Sequence, residues 1–249
     1  MITTAQPAVR PAGSARSGRP FRAAAALKRQ AGLSGLARNR LLRAASGAGM
    51  VIPGAFFAVM TVLGQITPHY DAISRFGSEL SLGRYGWAMI ANFIVVGVTV
   101  LGLAAALWRA AGRDRSGRLG ALMVGVAGTA FVVAGVFVTD PHGQVKTFHG
   151  AMHFAAAVAM FFVAVPAGGL AMSRWLRGSR WLSRYSALTG IATPLLFIAT
   201  VMSGHYLGLT ERVVIGAELA WLTVLAVALR TGQTSAAGNR AAPARPDAR

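Results

Sequence analysis

The chain has 249 residues, 54% hydrophobic and 13% charged, with a formal net charge of +18 and no cysteine. An ordinary soluble domain is about 25% charged, so this composition excludes a soluble globular protein, and its hydrophobicity excludes bulk disorder. Without cysteine there is no disulfide framework, thiolate nucleophile, Cys-ligated zinc or iron–sulfur cluster.

In chain order, residues 1–43 come first: nine Lys/Arg, no acid, and an abundance of Ala, Gly and Ser. That composition is similar to a transit peptide, but no short apolar core with a cleavage site precedes residue 44, which argues against a secretory signal. Two readings stay open for this basic tail. Phe21–Leu42 forms a basic helix lying on anionic lipid, or the whole tail is disordered. Residues 44–230 form the membrane domain. Residues 231–249, with three Arg and two Pro, are expected to be a disordered tail.

Five stretches in the membrane domain lack Asp, Glu, Lys and Arg: Ala44–Tyr70, Tyr85–Trp108, Leu119–Thr139, Thr147–Ser173 and Tyr185–Thr210. A sixth, Val213–Leu229, is broken only by Glu218. A bilayer core of about 30 Å needs about 17–25 apolar residues as a helix. A lone apolar segment in lipid must satisfy its backbone internally, so each stretch is predicted to be a transmembrane helix. The fold class is all-α, a polytopic protein of six transmembrane helices. Trp87, Trp108, Tyr70, Tyr85, Tyr185 and Tyr206 fall near the predicted boundaries, as an interfacial belt requires. Pro53, Pro166 and Pro194 lie inside spans. Gly97, Gly102, Gly125, Gly128 and Gly135 suit close helix packing.

The connections divide the charge. Twenty-one of the 25 Lys/Arg fall in residues 1–43, 109–118, 174–184 and 230–249, against Arg75, Arg84, Lys146 and Arg212 on the alternate side. Cytoplasmic loops carry the Lys/Arg excess, so both termini are expected in the cytoplasm of a multi-pass plasma-membrane protein. The positive charge is thus a topology signal and no sign of nucleic-acid binding. The expected partner is the lipid bilayer; oligomeric state stays open.

All five histidines (His69, His142, His149, His153 and His205) fall on the outer side of this topology, with Asp71, Glu79, Asp140 and Glu211. Counting from Val213, Glu218 lies about 8 Å below the outer end of the sixth span, at the depth of His153 and His205. Ionisable groups at such depth usually face a bundle interior or cavity, so an outward-facing polar site is expected. His149 and His153 form an H-x-x-x-H pair on one helical face, able to share a divalent metal such as zinc. Asp140 could complete the ligand set, orient an imidazole or act as general base; His205 is the alternative third ligand. Against this stand packed or interfacial histidines and a plain Asp140-Pro141 turn. A haem held between His153 and His205 is a further alternative. Ser78 and Ser81 could be nucleophiles, but no elbow motif supports that. Glu211-Arg212 is most simply a local ion pair or a helix start. Glu218, Arg212, Ser78 and Asp71 complete the candidate polar set.

Several of these segments together form a pattern. Tyr70-Asp71, Ile73-Ser74 and Ser78-Glu79-Leu80-Ser81 are followed by Gly135-Val136-Phe137-Val138-Thr139-Asp140-Pro141. Then come His149-Gly150-Ala151-Met152-His153 and Gly208-Leu209-Thr210-Glu211-Arg212. In this order they resemble bacterial six-helix integral membrane proteins catalogued as domain of unknown function 998, over roughly residues 45–230. The resemblance implies architecture and candidate positions, and no activity. Two functions are carried forward. One is a non-catalytic carrier, small-ligand sensor or scaffold using the polar site; the other is a metal-assisted intramembrane hydrolase or lipid-modifying enzyme using the same residues. The lack of a Walker or dinucleotide motif argues against ATP-driven transport and nicotinamide chemistry.

Overall fold

The computed structural model describes residues 44, 47–141 and 147–234. Both readings of the N-terminal tail, the end of the C-terminal tail, His142 and Lys146 lie outside the described residues. Six helices are long and apolar enough to cross a membrane: α1 (Gly47–Ile66), α2 (Gly86–Ala111), α3 (Arg115–Val136), α4 (Phe148–Trp175), α5 (Arg180–Met202) and α6 (Leu207–Arg230). A short 3₁₀ helix, Gly77–Leu82, lies in the α1–α2 connection, and a 3₁₀ turn, Gly204–Tyr206, precedes α6. No strand occurs among the described residues. The chain is a multi-pass membrane protein, and each predicted span corresponds to one helix.

Local chemistry sets the helix ends. Gly112, at φ +59°, stops α2 in a backbone region that side-chain-bearing residues avoid. Asp114 then caps α3 by accepting the Gly117 N–H at 2.7 Å, so α3 starts at Arg115 and not at the predicted Leu119. Thr147 caps α4 in the same way through Gly150 N–H. The predicted boundary between the last two spans is wrong. The charge-free run Tyr185–Thr210 contains the break, because Ser203, Gly204, His205 and Tyr206 turn the chain without an Asp, Glu, Lys or Arg. α5 ends at Met202, Gly204 takes φ +56°, and Glu211 and Arg212 become part of α6.

Within lipid, helices associate by close packing, not by hydrophobic expulsion. α2 and α3 meet backbone to backbone: a Cβ on Gly97 would lie 2.7 Å from Gly128 O, and one on Gly128 would lie 3.0 Å from Gly97 O. α4 and α5 meet the same way, since a Cβ on Gly169 would lie 2.5 Å from Ser186 O. α1 is held by Asn92 of α2, whose amide donates to Phe56 O at 3.1 Å, and Thr223 of α6 reaches Gly49 O. Phe56, Phe93 and Phe131 bring α1, α2 and α3 together through edge and tilted ring contacts. Within α4, Ala159–Ala164 is wound as a π-helix, one residue wider per turn than its flanks.

The bundle has two unlike ends. One, called here the arginine end, carries Arg109, Arg113, Arg115 and Arg118 around the α2–α3 connection, Arg174 to Arg184 around the α4–α5 connection, and Arg230. The other, the loop end, carries the α1–α2 connection, Asp140 and the turn before α6.

Candidate functional site

At the loop end of α3 and α4, one group of predicted residues comes together. The final carbonyls of a helix lack intrahelical donors. His153, in the second turn of α4, supplies one: its Nδ1 lies 3.0 Å from both Ala134 O and Phe137 O. Two acceptors around Nδ1 require the proton there, which leaves Nε2 as the basic nitrogen. The ring also packs edge-on against Phe93. His149 is exposed and rests on Phe137 and Phe148.

Asp140 accepts the Thr147 hydroxyl at 2.7 Å and the Thr147 N–H at 2.8 Å, closing the connection between α3 and α4. Those bonds hold its carboxyl below the usual aspartate range, and the nearby His149 and His153 add to the effect. Gly150 makes the seat, because a Cβ there would fall 1.9 Å from an Asp140 oxygen. A carboxyl whose folded-state pKa is depressed contributes stability above its unfolded value, near 3.8, and loses it as pH falls through the lower folded value. Thermal unfolding of detergent-purified protein is therefore expected to drop more steeply below pH 4 in the wild type than in Asp140→Asn, which has already lost the contribution. Parallel curves would contradict that role.

A second group lies beneath the α1–α2 connection, which docks on the start of α6. Arg212 donates to Ala72 O at 2.9 Å, Gly208 O at 2.7 Å and the Tyr70 hydroxyl at 2.7 Å. Tyr70 passes the chain on to Phe76 O, and burial raises its pKa against the opposing pull of Arg212. Leu209 N–H donates to Ile73 O at 3.0 Å. Glu211 accepts the N–H of Gly77, while Arg75 and buried Glu79 form an ion pair at 2.8 Å. Of the two simple readings of Glu211-Arg212, a local ion pair or a helix start, the structure has both residues in the second turn of α6, each turned to a different part of the docked loop. Asp71 takes the Ser74 hydroxyl and Ile73 N–H, which lower its pKa. Ser78 is buried in the 3₁₀ helix, and Ser81 donates to its carbonyl.

His205, expected on the fifth span, stands in the exposed turn before α6, where its charge acts on Asp71. It belongs with the docked loop. Among the described residues, no three His, Cys, Asp or Glu side chains converge as a metal requires.

Glu218 stands apart from both groups. Because α6 begins at Leu207, it lies eleven residues from the helix start, about 16 Å at 1.5 Å per residue, near the middle of a core about 30 Å thick. It is 0% exposed, and neither carboxyl oxygen has a hydrogen-bond partner. The other buried polar groups near the middle of the bundle are served. Trp221 donates to the Ser186 hydroxyl, and Thr189, Thr193 and Thr200 donate to carbonyls on their own helix. Glu218 is the one buried polar side chain left unpartnered among the described residues. Glu211 lies seven residues earlier, two turns above it on the same helical face. Nothing in the sequence joins Tyr70 to Arg212, since 142 positions separate them.

Residues 50–228 match the family model described as "Protein of unknown function (DUF998)". No curated protein and no solved structure matches the chain.

Proposed function

Because the chain belongs to the DUF998 family, whose description assigns no activity, we propose from its own side chains that it is a non-catalytic carrier of a small cationic or protonatable solute, with Glu218 as the receiving carboxyl. One observation carries the reading: a buried carboxyl near the middle of α6 with no hydrogen-bond partner among the described residues. Ionisable groups inside membrane helices are costly and mark ion, proton or substrate pathways. A proton neutralises Glu218, and so does an ammonium group with donors for both oxygens. Glu211, two turns nearer the loop end, gives a second carboxylate along the same face.

In this reading the loop end faces outward and the arginine end faces the cytoplasm, since cytoplasmic loops carry the Lys/Arg excess. The natural chain has no cysteine, so single cysteines report cleanly. Leu82→Cys is expected to react with a membrane-impermeant maleimide on intact cells, and Arg113→Cys only after permeabilisation. The reverse pattern would invert the orientation.

Transport is tested in proteoliposomes holding a pH-sensitive dye and challenged with methylammonium, choline and spermidine. The wild type is expected to exchange at least one amine for protons, and Glu218→Gln to cut the rate more than tenfold. Equal rates in wild type and variant would remove Glu218 from the mechanism.

A second reading, metal-assisted hydrolysis at Asp140, His149 and His153, rests on the pull that both imidazoles exert on the Asp140 carboxyl. It requires stoichiometric zinc in purified protein, lost in His149→Ala and His153→Ala. Metal analysis separates the two.

A further inference from the structure

A second surface, away from Glu218, has its own chemistry. α2, α3 and α4 enclose an open groove of about 650 Å³ on the side of the bundle. It begins beside Trp108 and Leu122 near the arginine end and runs to Val133 and Met152 toward the loop end. Along α3, from Ala121 to Val133, that is about 18 Å at 1.5 Å per residue. Half of a bilayer core is about 15 Å, so the groove has about the length of one leaflet's hydrocarbon and suits a single acyl chain. Its walls are mostly alanine, glycine and aliphatic side chains. The Thr129 hydroxyl is spent on Gly125 O, which leaves the Trp108 indole as the polar group on the lining. An occupant inside the groove is therefore hydrocarbon.

The mouth has the opposite character. Arg118 stacks over the Trp108 ring at 5.2 Å, and its Nε donates to Gly112 O at 2.7 Å. Arg109, Arg113 and Arg115 are exposed on the same connection. Among the described residues none of these four arginines has an ion pair, and the neighbouring acid, Asp114, is committed to capping Gly117. An apolar trough one leaflet long, ending at unneutralised guanidinium groups at headgroup level, is complementary to a lipid with an acyl chain and a negative head.

We propose that this groove is a specific site for an anionic phospholipid, its acyl chain along α3 and its phosphate against Arg118 and Arg113. The site is independent of the transport reading. Native mass spectrometry of the full chain tests it, after equilibration in mixed micelles of phosphatidylglycerol and phosphatidylcholine at equal amounts. The wild type is expected to retain phosphatidylglycerol at least fivefold over phosphatidylcholine. Arg113→Gln with Arg118→Gln should bring that ratio near one, and Ala105→Phe with Ala155→Phe, which fills the groove from two walls, should remove bound lipid of both kinds. Both variants must keep the wild-type melting profile without added lipid; Arg113→Gln alone and Ala105→Phe alone, expected to give intermediate losses, serve where a double variant unfolds. A preference that survives the arginine substitutions would place it on the basic N-terminal residues and overturn the site. Loss of a dimer, not of lipid, on filling the groove would show that a second copy occupies it, and would also overturn the proposal.

Discussion

Glu218→Leu is expected to raise the melting temperature of the purified protein and at the same time abolish amine-coupled proton movement. Leaving a buried polar group without a partner costs about 1–3 kcal/mol, and leucine offers a similar volume with nothing to satisfy. For a chain of this size, a gain of about 1–3 kcal/mol corresponds to about 2–12 °C. Glu218→Gln is the control. It keeps the unsatisfied polar atoms and cannot release a proton, so it should lose transport with little change in stability. Stability given up in exchange for activity is the pattern of a functional group. A fall of several degrees in Glu218→Leu would show that the carboxyl has a stabilising partner, and the case for a receiving site would fail with it.

The second large effect is expected at Gly208. A Cβ there would lie 2.2 Å from Arg75 O and 2.6 Å from Ala72 O. Both are backbone atoms of the docked loop, so neither can swing aside as a side chain would. Gly208→Ala must lift the loop from α6. With it go the bonds from Leu209 to Ile73, from Arg212 to Ala72 and Tyr70, and from Gly77 to Glu211. Overpacking costs about 1–3 kcal/mol and each of the four lost bonds about 1 kcal/mol, for a total of about 5–7 kcal/mol. That is enough to undock the loop while the six-helix bundle persists. Ser78 is 6% exposed in the wild type, so Ser78→Cys should resist maleimide in that background and react readily in the Gly208→Ala background. Resistance in both backgrounds would mean that the loop stays seated.

The six spans were legible because the bilayer imposes a length and an apolar composition that survive in any window of sequence. The α5–α6 boundary was not, because Gly204 reverses the chain by its backbone freedom, and a search for charge passes over it. That one boundary placed Glu218 about 8 Å deep where the structure has it about 16 Å from the helix start, and it put His205 on a helix it does not belong to. Glu218 itself was easy to find, as an acid in a long apolar run has few bland explanations. The bonds around Arg212 were hidden for a different reason. They join segments distant in sequence through carbonyl groups, which every residue owns and none advertises. His153 is similar: its partners are the two backbone oxygens at the end of α3, and no side chain announces them.

The π-wound stretch Ala159–Ala164 constrains how this chain could change length over generations. An extra residue in that turn rotates everything after it by about 100° relative to an unbroken α-helix. Gly169, which must meet Gly190 with almost no room between backbones, lies on the rotated side. Deleting one residue from the stretch would let it close into a plain α-helix with Gly169 still on its seam, whereas closing it without a deletion would swing Gly169 about a quarter turn and set a bulkier neighbour against α5. The π-wound turn is therefore the place in α4 where loss of a single residue should be tolerated, while other changes of length fall in the connections.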